Sequence, residues 1–134
     1  MSDLVILAGG FGTRLQSISS GIPKALMPIR NSVYLDLLLD KIMHFNIHHI
    51  YLSLHYRLEL FLDHISQTTY KDIIAPIVEP KPLGTGGAIN YIIQNTSITS
   101  PFFVINGDSF SNVNLDHMKE GYSRNRYKAM IGIS

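Results

Sequence analysis

The residues best equipped for chemistry lie near the amino terminus, in Leu7-Ala8-Gly9-Gly10-Phe11-Gly12-Thr13-Arg14-Leu15, with Pro23-Lys24 shortly after. Three glycines fall within four positions, Thr13 and Arg14 follow at once, and Lys24 stands ten residues beyond the arginine. Glycine lets a backbone turn sharply and come close to a ligand. Free N–H groups in such a loop form a cradle for an anion. Two cations beside the cradle, one a planar guanidinium suited to bidentate contact, complete the chemistry of a triphosphate site.

Two familiar glycine motifs are excluded. A P-loop places Lys-Ser or Lys-Thr directly after its last glycine, whereas Thr13-Arg14 follows here. The dinucleotide fingerprint requires a third glycine, and Gly10-Phe11-Gly12-Thr13-Arg14-Leu15 has a leucine in its place. Its acidic partner about 20 residues on would fall near Asp36, inside an expected helix.

Two further segments carry the same kind of residue. Glu79-Pro80-Lys81-Pro82-Leu83-Gly84-Thr85-Gly86-Gly87-Ala88 is a second glycine-rich stretch, and Phe102-Phe103-Val104-Ile105-Asn106-Gly107-Asp108 is an apolar run ending in an aspartate. Together, in this order, the three segments resemble the sugar-1-phosphate nucleotidyltransferases, with motifs L-A-G-G-x-G-T-R-L then P-K, E-x-x-P-L-G-T-G/A-G, and a strand ending in G-D. The wording of the second and third segments is most similar to the heptose-1-phosphate guanylyltransferase branch. The resemblance runs from Leu4 through essentially the whole chain.

This resemblance implies a Rossmann-like three-layer αβα sandwich with a mainly parallel sheet. It also implies attack of a sugar 1-phosphate oxygen on the α-phosphorus of a nucleoside triphosphate, GTP by the branch, with pyrophosphate leaving, to make precursors of surface polysaccharide. The substrate phosphate is itself the nucleophile, so the protein's part is positioning and charge neutralisation. Carried over residue by residue, the amides around Gly9, Gly10, Gly12 and Thr13 hold phosphates. Arg14 clamps the leaving β- and γ-phosphates. Lys24 neutralises charge on the α-phosphate, and Asp108 binds Mg²⁺. Leu7, Ala8, Gly84, Thr85, Gly86 and the Glu79 region line base and ribose.

The chain departs from the family in two places. After Pro28 the family continues with a glycine-lysine-proline turn; here Arg30-Asn31-Ser32-Val33 follows, and an Asn-Ser turn is expected to do the structural job. The family's catalytic domain also continues well beyond residue 134 and supplies much of the sugar pocket and a second metal-binding aspartate. After Asp108 only Asp116 and Glu120 are acidic, both in an expected surface helix. Residues 1–134 are therefore expected to form the nucleotide-binding part of the domain. The alternative expectation is a non-catalytic nucleotide-binding module, self-associating or completed by another chain.

These residues need a scaffold that gathers them. Strands are expected at Leu4 to Ala8, His49 to Leu54, Ile73 to Val78, Pro101 to Asn106 and Lys128 to Ile133. The third carries Pro76 and belongs at a sheet edge. Helices are expected at Tyr34 to Phe45, at Arg57 to Ser66 with Leu58, Phe61, Leu62 and Ile65 on one face, at Gly84 to Gln94 with Ile89, Ile92 and Ile93, and at Leu115 to Ser123. Alternation of this kind implies a parallel sheet covered on both faces. Ligands then sit beyond the strands' carboxyl ends, and if the first and fourth strands are neighbours the glycine loop and Asp108 share one crevice.

Composition fits this reading. Of 134 residues, 46% are apolar, enough for one folded domain. A net charge of +1 with dispersed basic residues gives no electrostatic footprint for nucleic acid or acidic membrane. The absence of cysteine excludes disulfides and thiolate metal sites. Met1-Ser2-Asp3 has no basic segment, and the apolar run behind it is too short for a signal peptide or a membrane span, so a cytoplasmic protein is expected. Six histidines are present. His44 and His48 straddle a helix end, His48-His49 enter a strand, and His55, His64 and His117 lack matching partners in the sequence, so no zinc site is expected. Tyr34, Tyr51, Tyr56 and Phe61 are expected in core or surface roles.

Overall fold

The computed structural model describes residues 1–10 and 21–132. Four strands form one sheet: β1 (Ser2–Leu7), β4 (Ile47–Leu54), β5 (Ile74–Val78) and β6 (Phe103–Asn106), in the order β5-β4-β1-β6. All three pairings are parallel. A small hairpin pairs β2 (Pro28–Ile29) with β3 (Ser32–Val33). The helices are α1 (Tyr34–Ile42), α2 (Leu58–Gln67), α3 (Gly84–Asn95) and α4 (Leu115–Asn125). This is the expected α/β sandwich, and β1 and β6 are neighbours as the shared crevice requires.

Apolar periodicity explains the layers. Leu4, Val5 and Ile6 are fully buried, as befits a central parallel strand with both faces covered. Leu4 and Ile6 pack on one side with Ile50, Leu52 and Leu54 of β4, beneath α1, α2 and Leu115 of α4. Val5 faces the other side, with Tyr51 and Ile92 of α3. Helix α1 buries Leu35, Leu38, Leu39 and Ile42, the i, i+3, i+4, i+7 stripe of an amphipathic helix. Strand β5 is an edge, and Pro76 within it lacks the N–H that a central position would demand.

Four details differ from the sequence expectations. Residues 128–132 form no strand. Met130 instead lies over Gly121 of α4, where an added Cβ would stand 3.2 Å from its methyl group. Leu62 and Ile93 are exposed, because α2 and α3 each turn a narrower face to the sheet than their apolar content suggests. The turn of the β2–β3 hairpin falls on Arg30-Asn31, with Arg30 left-handed at φ 53°, and Ser32 already lies in β3. Finally, the histidines do not all lack matching partners. His64 lies 2.7 Å from the Asp36 carboxylate of α1, and His48 and His49 both face Asp3.

Asp3 sits at the amino end of the sheet, almost wholly buried. Its Oδ2 accepts hydrogen bonds from the Thr99 amide at 2.7 Å and the Thr99 hydroxyl at 2.9 Å. Burial opposes its charge and is the largest single influence. The two Thr99 bonds and the nearby His48 and His49 together overcome it, leaving the carboxyl below its ordinary value.

Candidate functional site

At the carboxyl ends of the strands, β1 and β6 close on each other. The Gly107 N–H donates to the Leu7 carbonyl at 2.8 Å. A Cβ at residue 107 would stand 3.1 Å from both Ala8 Cβ and the Leu7 oxygen, tighter than most such contacts, so glycine suits this approach. That contact delivers the next residue, Asp108, to the mouth of the sheet. On the other side of β1 the Ala8 N–H donates to the Ser53 carbonyl of β4 at 3.0 Å.

Glu79 ties the first glycine loop to the second. Its carboxylate is buried, accepting from the Ser53 hydroxyl at 2.7 Å and from the Leu83 N–H at 3.0 Å. A Cβ on Gly9 would lie 2.5 Å from Glu79 Oε1, so Gly9 is the residue that admits this carboxylate. Both oxygens of Glu79 are thus engaged within the protein. These bonds hold the turn before α3 against the end of β4, beside Gly9.

Lys24 opens a single 3-10 turn, Lys24–Leu26, anchored by buried Ala25 and Leu26. Its Nζ reaches Asp108 Oδ2 at 3.1 Å, joining residues 84 positions apart. Both side chains remain nearly half exposed, at 43% and 44%, so water and ligands can reach the pair. The segment after Asp108 is held by α1. Lys41 donates to the Ser111 carbonyl and to Asn112 Oδ1 at 2.9 Å, and lies 4.6 Å from the Phe110 ring centroid. Tyr34 meets Phe110 edge-to-face at 6.0 Å. The Tyr34 hydroxyl is buried with no hydrogen-bond partner among the described residues. Burial first, and the Asp108 charge second, raise this phenol above its ordinary value.

The ends of β1 and β6, the Lys24 turn, Glu79 and the start of α3 enclose a crevice of about 320 Å³. Of the residues expected in the site, Leu7, Ala8, Gly9, Gly10, Lys24, Glu79, Gly84, Thr85 and Asp108 line it. Gly86 lies one step further into α3 and does not. Gly12, Thr13 and Arg14 lie outside the described residues. Helix α3 begins at Gly84 with no side-chain cap, and Gly84 and Thr85 of its first turn line the crevice, which leaves uncapped N–H groups there as candidate donors. Asp116 and Glu120 lie on α4, away from these residues.

The donor set suits a hard cation. Asp108 is an accessible carboxylate, while Glu79 is committed elsewhere. One carboxylate beside a phosphate cradle is how Mg²⁺ is commonly held, with substrate oxygens and water completing its shell. Asp108 is the described residue that would hold it.

Residues 4–133 match the family model for nucleotidyl transferases. The chain belongs to that family. Over 120 residues it is 32% identical to a D-glycero-alpha-D-manno-heptose 1-phosphate guanylyltransferase of Campylobacter jejuni, covering 90% of this chain and 53% of that protein. Over 120 residues it is 29% identical to a putative mannose-1-phosphate guanyltransferase of Sulfolobus acidocaldarius, covering 90% of this chain and 33% of the other. The fold superposes on HddC from Yersinia pseudotuberculosis, crystallised with GMP-PN, with a TM-score of 0.80 and 36% identity over 91% of this chain and 54% of that one. UDP-glucose pyrophosphorylase shares the fold alone, at 19% identity and a TM-score of 0.72. The chain spans about half the length of the heptose 1-phosphate relative and of HddC.

The sequence marks Tyr34 only for a core or surface role and carries no signal for its contact with Phe110 or for the Lys41–Phe110 clamp. Neither belongs to a motif, and each acts across elements far apart in the chain. Among the described residues no helix is long and apolar enough to cross a membrane.

Proposed function

We propose that the chain forms the nucleotide-binding part of a sugar-1-phosphate nucleotidyltransferase. It would transfer a nucleotidyl group from a triphosphate, with GTP favoured, to a heptose or hexose 1-phosphate and release pyrophosphate. The observation that carries this reading is the convergence of Gly9, Gly10, Lys24, the α3 amino terminus and Asp108 on one crevice beyond β1 and β6. The heptose and guanine preferences rest on the relatives named above, and the link to surface polysaccharide on the family resemblance.

For the described residues the roles follow from charge and position, and those of Gly12, Thr13 and Arg14 rest on the family resemblance. Amides of Gly9 and Gly10, with Gly12 and Thr13, cradle phosphate, and Arg14 clamps the leaving β- and γ-phosphates. Lys24 neutralises charge on the α-phosphate. The amides of Gly84 and Thr85, held in place by Glu79, face the nucleoside. Asp108 would hold Mg²⁺, which would supply further charge neutralisation to the reacting phosphates. The Lys24–Asp108 pair is exposed and worth less than about 1 kcal/mol, so arriving phosphates can draw the two apart at little cost.

The test is pyrophosphate release with Mg²⁺ across a panel of triphosphates and sugar 1-phosphates. Asp108→Asn is expected to lower turnover by about 100-fold or more, the scale for losing one charge-stabilising group. A second reading, a nucleotide-binding module acting with another chain or a second copy, draws on β6. This strand is a sheet edge among the described residues, with Val104 and nearby Phe110 exposed. Triphosphate binding without release, unaffected by Asp108→Asn, would favour the module. Failure to bind any triphosphate would sink both readings, and a monodisperse monomer in light scattering would count against association.

A further inference from the structure

At the opposite end of the sheet from the crevice, the pairing of β1 with β4 contains an irregularity. Ser2 pairs with Ile47 and Asp3 with His49, so His48 is an extra residue. Adjacent residues on a regular strand point to opposite faces, and a bulge relaxes that alternation. Here it brings both imidazoles to Asp3. His48 Nε2 lies 3.4 Å and His49 Nδ1 3.5 Å from the same oxygen, Asp3 Oδ1. The two rings are 4.3 Å apart, and each of the three residues offers a ligand atom within 4.8 Å of the others.

Asp3 Oδ1 is buried and has no hydrogen-bond partner among the described residues. Such an atom is costly unless something compensates it. The other oxygen, Oδ2, is fixed by both Thr99 donors, which sets the direction of Oδ1. His48 Nδ1 lies 3.2 Å from the Ser2 carbonyl. When that nitrogen carries the proton, it donates to Ser2 and leaves the Nε2 lone pair facing Asp3. Two imidazoles and one carboxylate gathered at one point, with Asp3 and His48 each oriented by a further hydrogen bond, have the construction of a metal site.

We propose that Asp3, His48 and His49 bind a divalent transition cation of the zinc class, outside the nucleotide crevice. The two imidazole-to-carboxylate separations support this. With metal–ligand bonds of about 2.1 Å, a tetrahedral centre places its ligand atoms about 3.4 Å apart. Two imidazoles with one carboxylate favour zinc, cobalt or nickel over magnesium or calcium. His49 is more than half exposed, leaving the fourth position to water. The cation would join the start of β1, the bulge of β4 and the Thr99 loop before β6, and so act on stability rather than on chemistry about 13 Å away along β1.

The test uses the full chain after chelator treatment, titrated with Co²⁺ and read by visible absorption, then with Zn²⁺ read by calorimetry and thermal unfolding. One ion per chain, the intense visible bands of a four-coordinate cobalt centre, and a raised unfolding midpoint are expected. His49→Ala, at the exposed ligand, should weaken binding at least 10-fold while leaving the fold intact, and His48→Ala should do likewise. Asp108→Asn should leave binding unchanged. Absence of binding by the parent would overturn the proposal, as would affinity that survives in His49→Ala. The latter would trace to the remaining histidines or to Asp108, and the Asp3 cluster would be a pair of simple carboxylate–imidazole contacts.

Discussion

At its carboxyl end β1 runs into a crevice where Asp108 stands nearly half exposed beside Lys24. At its amino end Asp3 is sealed from water, with one oxygen fully bonded and the other pointed at two imidazoles. The same strand thus presents two carboxylate clusters in opposite circumstances. An exposed pair contributes little to stability and can be rearranged by a ligand. A buried carboxylate is fixed by its partners and resists change. The comparison separates groups placed to be moved by substrate from groups placed to hold the scaffold still.

The contrast can be broken or sharpened by substitution. The largest effect belongs to the exposed end, where Asp108→Asn should cost about 100-fold or more in pyrophosphate release with little change in unfolding midpoint. Next is Gly9→Ala, whose Cβ would collide with the buried Glu79 carboxylate at 2.5 Å. Destabilisation of about 1–3 kcal/mol is expected in denaturant titration, with weaker triphosphate binding. A Gly9→Ala protein of unchanged stability would show that Glu79 can give way. Lys24→Met should shift stability by less than about 1 kcal/mol, since its ion pair is solvated; a larger loss would place Lys24 with the scaffold. The smallest effect concerns Tyr34. Its phenol is raised by burial and by Asp108, so the folded protein holds that proton above about pH 10 while the unfolded chain releases it. Stability therefore falls as pH rises from there toward the folded-state value. Tyr34→Phe should show a shallower alkaline decline in unfolding midpoint.

Much of this arrangement is legible in the chain itself. The helical stripe Leu35, Leu38, Leu39, Ile42 marks α1, the run Leu4-Val5-Ile6 marks a strand covered on both sides, and Pro76 consigns β5 to an edge. The three glycine and aspartate segments predict one crevice, provided β1 and β6 are neighbours, and they are. What local pattern does not carry is the consequence of tertiary choice. Residues 128–132 are apolar enough to read as a strand but form none; Met130 lies over α4 while the rest of the segment is exposed. Leu62 and Ile93 are apolar yet face solvent, because each helix touches the sheet along a narrow line. The pairing of Asp3 with His48 and His49 depends on a bulge, and a bulge is a property of two strands together. Glu79, expected near base and ribose, does line the crevice; that its carboxylate is also buried and bonded to Ser53 and Leu83 depends on tertiary contacts no local pattern carries.

The six residues of β1 have one more consequence. Asp3 must meet Thr99 and the bulge of β4, while Leu7, Ala8 and Gly9 must meet Gly107, Ser53 and Glu79. Both ends are pinned to the same neighbours, so the strand works as a gauge of fixed length. Adding or removing a single residue between them would turn every side chain beyond that point to the opposite face, and either the amino-terminal cluster or the crevice would be lost. Substitutions along this segment are therefore expected to be tolerated better than any change in its length.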